Sequence, residues 1–425
     1  MKTKNLIKVL ALVLIVSACA VFVLAGMSTG APAETQASDL VSSATRSSGT
    51  GGSSGGSSGG SANASGTPIL NAAELFSERD LEQSPDLSGA VTLTVSDGET
   101  YRITEEGVYV LQGSAADATV IVEAADTAKV QLVLDGVSIE NASFPCIYVK
   151  SADKVFVTTI ADSSLSVTGS FVSDGDTNTD AVIFSRDDLV FNGTACLYIS
   201  SSENGVSSKD DLKVTGGSYW ISAGSKCLEA NDSIRIAGGS FSLSAGTDCL
   251  HAENDEDDSL GWIYIGGGSL SLSAGDDGIH GKAFVQIDDG SLVISAAEGI
   301  EATTVQLNGG VISIESWDDG VNAARKSGVY AVCVEINGGD ISIAMGAGDT
   351  DGVDANGSLV INGGTIRITG NSSFDYDGSA VYNGGTIIVN GQTLDYIPNQ
   401  MMGAPGGMGG FGGQNGGFGG RGRRG

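Results

Sequence analysis

Carboxylates recur in this chain ahead of a glycine and an aliphatic residue: "DCLHA" from Asp248 (with cysteine in the glycine place), "DDGIHG" from Asp276, "EGIEA" from Glu298, "DDGVNA" from Asp318 and "DGVDA" from Asp351. If these repeats stack in register, Asp248, Asp277, Glu298, Asp319 and Asp351 form a column, with Asp276 and Asp318 beside it. Strands stack about 4.8 Å apart, and carboxylates at that spacing repel unless a proton or a cation intervenes. Calcium takes six to eight oxygen ligands and suits acids on adjacent repeats. The same argument covers Asp187/Asp188 in "SRDDL" and Asp210/Asp211 in "SKDDL". The alternative is that such acids cap turns by accepting bonds from backbone amides.

Three residues past each acid lies a second column, aimed outward: Ser207, Glu229, His251, His280, Glu301, Asn322 and Asp354. It reads as a polar stripe for an extended polymer, or simply as a solvated strand face. His251 and His280, the chain's two histidines, fall on adjacent repeats and could serve as a base pair or a transition-metal site. Sugars also favour exposed aromatic faces. Alternation aims Trp220 of "GGSYWISAG" outward, where other repeats carry serine, and Tyr264 outward on its own strand; Trp317 abuts Asp318 and Asp319.

The elements that must position these residues follow from the repeat. A "GG" pair or close variant returns at 216, 238, 267, 289, 309, 338, 363 and 384, with a basic period of 21–22 residues and longer steps that hold insertions such as "ENDEDDSL" (Glu253–Leu260) and "RKSGVYA" (Arg325–Ala331). Each period carries three short alternating runs, which place Ile234, Ile236, Phe241, Leu243 and Leu250 inside. Three short strands per period predict an all-β, right-handed parallel β-helix of about a dozen coils, with glycines at the corners. Cys227 and Cys249 occupy the glycine place on consecutive coils, where parallel Cβ vectors favour two reduced thiols over a bridge.

The chain has 51 acidic and 21 basic residues among 425, a net charge of −30, which disfavours nucleic acid and anionic membranes as partners. Lys2, Lys4 and Lys8 precede an apolar run of 19 residues, predicting an export or anchor segment over residues 1–27. Within it, "VSAC" offers Cys19 for lipidation; an uncleaved anchor and cleavage near "APA" are the alternatives. Residues 28–68 read as a Gly/Ser-rich linker, 69–397 as the β-helix and 398–425 as a disordered Gly-rich tail.

The segments "FPCIYVKSADKV", "DAVIFSRDDLVFNG" and "NGVSSKDDLKVTGG" resemble the clostridial-type carbohydrate-binding family, secreted calcium-binding domains built like pectate lyases. The resemblance implies binding of a cellulose-like or pectic polysaccharide with calcium and without catalysis. The expected protein is an exported, surface-tethered monomer that binds such a glycan. The metal would sit at Asp187, Asp188, Asp210, Asp211, Asp248, Asp276, Asp277, Asp318, Asp319 and Asp351. The sugar would sit at Trp220, Tyr264, His251, His280, Glu301, Asn322 and Asp354. The runner-up is a calcium-dependent polysaccharide lyase. Its base would come from Arg186, Lys209, Lys226 or Lys282, with Lys282 first because it directly follows "DDGIHG". A structural adhesin is the third reading.

Overall fold

The computed structural model describes residues 66–347 and 350–399. Strands of three to eleven residues pair in parallel, each with its counterpart one period on, and so build a parallel β-helix with three faces. A strand that reaches a parallel neighbour through a crossover turns right-handed. The first face contains the short strands Asn204–Ser208, Leu228–Ala230, Leu250–Ala252, Val321–Ala323 and Val353–Ala355. The second contains Asp211–Val214, Ser233–Ile236, Trp262–Ile265 and Cys333–Ile336. Two long strands, Asp277–Ile287 and Glu298–Leu307, pass from the first face to the second without a break and join them into one 23-stranded sheet. The third face is a separate 13-stranded sheet whose last strand, Gln392–Leu394, turns back antiparallel; the other twelve mark one coil each among the described residues.

Stacking one period apart sorts side chains into columns. Ile199, Ile221, Leu243, Leu272, Ile294, Ile314, Ile343 and Ile368 lie in register and are all buried. Each such side chain contributes about 1.5–3 kcal/mol by leaving water. Ile234, Ile236, Phe241 and Leu250 are buried likewise, as the alternation predicts. The second glycine of each "GG" pair makes the corner: Gly239 and Gly290 hold φ at 119° and 123°, where a side chain is strained. The glycine of the acid repeat has another reason. At Gly278 the strand runs straight through, and a Cβ there would lie 2.3 Å from Ile294 Cγ2 and 2.6 Å from the Gly299 carbonyl oxygen. It is required by close packing, not by a corner. Cys227 and Cys249 are buried free thiols, as parallel Cβ vectors require.

Residues 66–88 lie outside the coil pattern and form a strap over the second face. Gln286 and Gln306 accept the Leu70 and Ile69 amides at 2.7 and 3.0 Å, and Glu335 accepts the Gly66 amide. Farther along, Asp80 pairs with Lys154 and Lys213, and Arg79 lies over the Phe156 ring. The strap thus follows the stack from later coils to earlier ones.

Candidate functional site

The first face carries the outward column in the predicted register: Ser207, Glu229, His251, His280, Glu301, Asn322, Asp354 and then Asp375 are consecutive partners. Its central part is buried, contrary to the expected open stripe: His251, His280, Glu301 and Asn322 are all below a tenth exposed. The insertions account for this. Glu253 of the first reaches His251 Nε2 at 3.4 Å, and Lys326 of the second pairs with Glu301 at 2.8 Å. These four residues are therefore closed to a polymer, while Glu229 before them and Asp354 and Asp375 after them are of intermediate exposure.

The two histidine rings stack with centroids 4.6 Å apart. Asp248 holds His251 Nδ1 at 2.9 Å, while Asp277 and Glu301 hold His280 Nδ1 at 2.6 and 3.0 Å. Burial alone would lower His280, yet its two carboxylates raise it to about 9. Glu253, bonded to His251, is held down at about 2.

The expected calcium ligands sort into distinct roles. Asp187 accepts the Ala152 amide, as a turn cap does. Asp188 pairs with Lys154, and Asp211 makes a 2.6 Å pair with Arg235 and a bond from Ser233. Asp248 and Asp277 position imidazoles, and Asp276 and Asp318 are exposed. Cations, hydroxyls and amides thus offset part of the repulsion among these acids, although Asp211 still raises Asp188 and Glu301 still raises Asp277 on top of burial. Asp351 accepts from Ser372.

A crowded set remains. Burial, then Glu301, pushes Glu298 up to about 8; burial with Asp318 and Asp351 takes Asp319 to about 6; and burial, then Asp319, takes Asp354 to about 7. Asn322 donates to Glu298 at 3.0 Å, while its own Oδ1 and Asp375 Oδ1 are buried with no hydrogen-bond partner among the described residues. Asp210 rises to about 7 through burial and then Asp188; it lines a cavity of about 720 Å³ with Asp232, Glu253 and Asp257. No three carboxylates alone converge within 4.8 Å among the described residues; the two groups that do, His251–Glu253–His280 and Asp277–His280–Glu301, both contain histidine.

Of the cationic candidates, Lys282 is buried, bonded to the Asn254 carbonyl and paired with Asp258 at 3.2 Å. That corrects the expectation of a free base. Lys209 and Lys226 are committed to Glu229. Tyr264 is likewise corrected: it points outward but is 2% exposed, because Phe76 of the strap packs on it, and its hydroxyl donates to Asp288.

The third face is open. Its outward residues form ladders of serine, such as Ser218, Ser240, Ser269 and Ser291. Trp220 stands out as predicted, 45% exposed. Sequence reading missed its partner: Tyr198, directly in register on the preceding coil, is 44% exposed. The two rings are inclined by 24° with centroids 6.4 Å apart, beyond face-to-face contact distance. The signal was available, since Tyr198 lies 22 residues, one period, before Trp220. Trp317, also exposed, lies just past the end of its third-face strand.

A carbohydrate-binding domain-containing protein of Acetivibrio thermocellus is 32% identical over 157 residues, which is 36% of this chain and 53% of that relative. The chain thus spans about half the length of that protein. A solved structure of a polysaccharide lyase-like protein from C. thermocellum, a gadolinium derivative, shares 27% identity, with a TM-score of 0.44, over 55% of this chain and 96% of that one. The family model described as carbohydrate-binding domain-containing protein matches residues 97–352, more than half of the sequence, and the chain belongs to that family.

Proposed function

We propose that this protein is an exported, surface-tethered binder of polysaccharide that grips a flat, neutral, cellulose-like chain on its third face, with calcium supporting the coils behind it. The observation that carries this reading is the exposed Tyr198–Trp220 pair on an open sheet of in-register serines. Aromatic faces cover the apolar face of a sugar ring, and flanking hydroxyls exchange hydrogen bonds with its rim. The strap and the insertions cover much of the other two faces, so the third offers the longest open stretch.

Calcium fits the crowded oxygen set of the first face. Glu298, Asp319, Asn322, Asp354 and Asp375 span four coils, so neighbours among them, closing on an ion between adjacent coils, would hold it; two of their buried oxygens have no partner and their carboxylates repel one another. There it would neutralise charge between successive coils. Export and tethering rest on residues 1–68, most of which lie outside the described residues.

Depletion from solution by microcrystalline cellulose tests the reading. Trp220→Ala or Tyr198→Ala should each weaken retention about tenfold, equivalent to about 1.4 kcal/mol, with the melting temperature unchanged. Retention that survives the double variant, or preferential binding of polygalacturonate, would overturn the assignment of this face. New ultraviolet absorbance from unsaturated uronate would show a lyase instead.

A further inference from the structure

We propose that His251, His280 and Glu253 form a binding site for one divalent transition ion of the zinc class, separate from any calcium. The site is built, not a chance cluster of acids. Each histidine has its Nδ1 fixed by a carboxylate, Asp248 for His251 and Asp277 with Glu301 for His280. A carboxylate on Nδ1 sets the tautomer of a metal-binding imidazole and turns its Nε2 lone pair toward the ion. The near-parallel rings place the two imidazoles side by side. Glu253 approaches His251 Nε2 at 3.4 Å, and one ligand atom from each of the three residues lies within 4.8 Å of the others.

The independent observation is His280 Nε2. The residue is 9% exposed, and this nitrogen is buried with no hydrogen-bond partner among the described residues. A buried ring nitrogen left unpaired costs about 1–3 kcal/mol, so a fold that fixes the opposite side of the ring with two carboxylates has a reason to fill this one. A metal takes the place of the Nε2 proton and releases it to solvent.

Two imidazoles and a carboxylate are the donor set of zinc sites that keep a fourth position open. Calcium prefers oxygen throughout and gains little from imidazole. Tetrahedral bonds of about 2.0–2.1 Å bring ligand atoms to about 3.4 Å from one another, a closure in which the two stacked rings, 4.6 Å apart at their centroids, tilt together and the exposed Glu253 side chain swings in. The ion would fasten the start of the 253–260 insertion to two successive coils. The histidines alone would bridge the coils; Glu253 adds the loop.

The test titrates full-length, tag-free protein with cobalt(II) and then zinc(II), in excess calcium to fill oxygen sites. Expected are a saturable one-to-one cobalt visible band of tetrahedral intensity, its displacement by zinc, and a zinc-dependent rise in melting temperature. His251→Ala should abolish the band. Glu253→Gln, which keeps the side chain's size but removes one ligand, should weaken zinc at least tenfold. Absence of one-to-one binding by the wild type, or equal zinc affinity in wild type and Glu253→Gln, overturns the site.

Discussion

Glu229 shows how one residue decides whether a buried charge stabilises this fold. Burial alone would raise its carboxyl, yet Lys209 and Lys226 hold it at about 2, with the Ser207 hydroxyl donating at 2.7 Å. Because the folded value is depressed, the stabilisation is full above the unfolded value near 4.3 and is lost as pH falls toward 2. The shift corresponds to about 3 kcal/mol at neutral pH. Glu229→Gln should therefore melt well below wild type at pH 7, with the gap closing between about pH 4.5 and 2. A gap that stays constant across that range would mean the loss is one of packing. His280, one coil beyond His251 in the same column, shows the opposite use of acids: two carboxylates serve one imidazole, and among the described residues nothing meets its far nitrogen.

Among the strands and loops, the period decided the outcome. Three alternating runs per 21–22 residues made the β-helix, its core and the outward columns legible, because parallel stacking repeats every contact. The exceptions to the period were illegible in their consequences. Which face residues 66–88 would cover depends on Gln286, Gln306 and Glu335 offering side chains to an extended backbone 216 or more residues away, which no local pattern encodes. The insertions at 253–260 and 325–331 were visible as breaks, but not as the covers that bury His251, His280 and Glu301. Close packing explains the glycine ahead of each aliphatic residue, and a substitution checks it. Gly278→Ala drives a Cβ into Ile294 and the Gly299 carbonyl, within a strand that cannot shift without moving both neighbours. A loss of about 3 kcal/mol is expected by calorimetry. Gly136, with φ of 68° and no atom within 4 Å of where a Cβ would lie, should tolerate asparagine at a cost of about 1 kcal/mol or less. Equal losses at the two positions would refute the packing argument.

For the whole β-helix, each coil touches only its neighbours, so stability is a sum of local terms and a ligand acts where it binds. The crowded acids span the coils from Glu298 to Asp375, while the coils before Asn204 present Ile121, Tyr148 and Phe184 in the same outward column and carry no such charge there. Filling a calcium site to one hundred times its Kd stabilises by about 2.7 kcal/mol. Removing the ion should therefore loosen the later coils first. Hydrogen exchange with and without a calcium chelator measures this coil by coil: faster exchange is expected in strands from Glu298–Leu307 through Phe374–Tyr376, with Ile147–Ser151 and Ala181–Ser185 unchanged. Asp354→Asn should reduce the difference between the two conditions, since it removes both a ligand and a source of repulsion. Uniform acceleration along the stack would point to one cooperative unit, and no change at all would remove calcium from these coils. The locality also separates the two proposed metals: zinc would act through the coils of His251 and His280, ahead of the segment that calcium would hold.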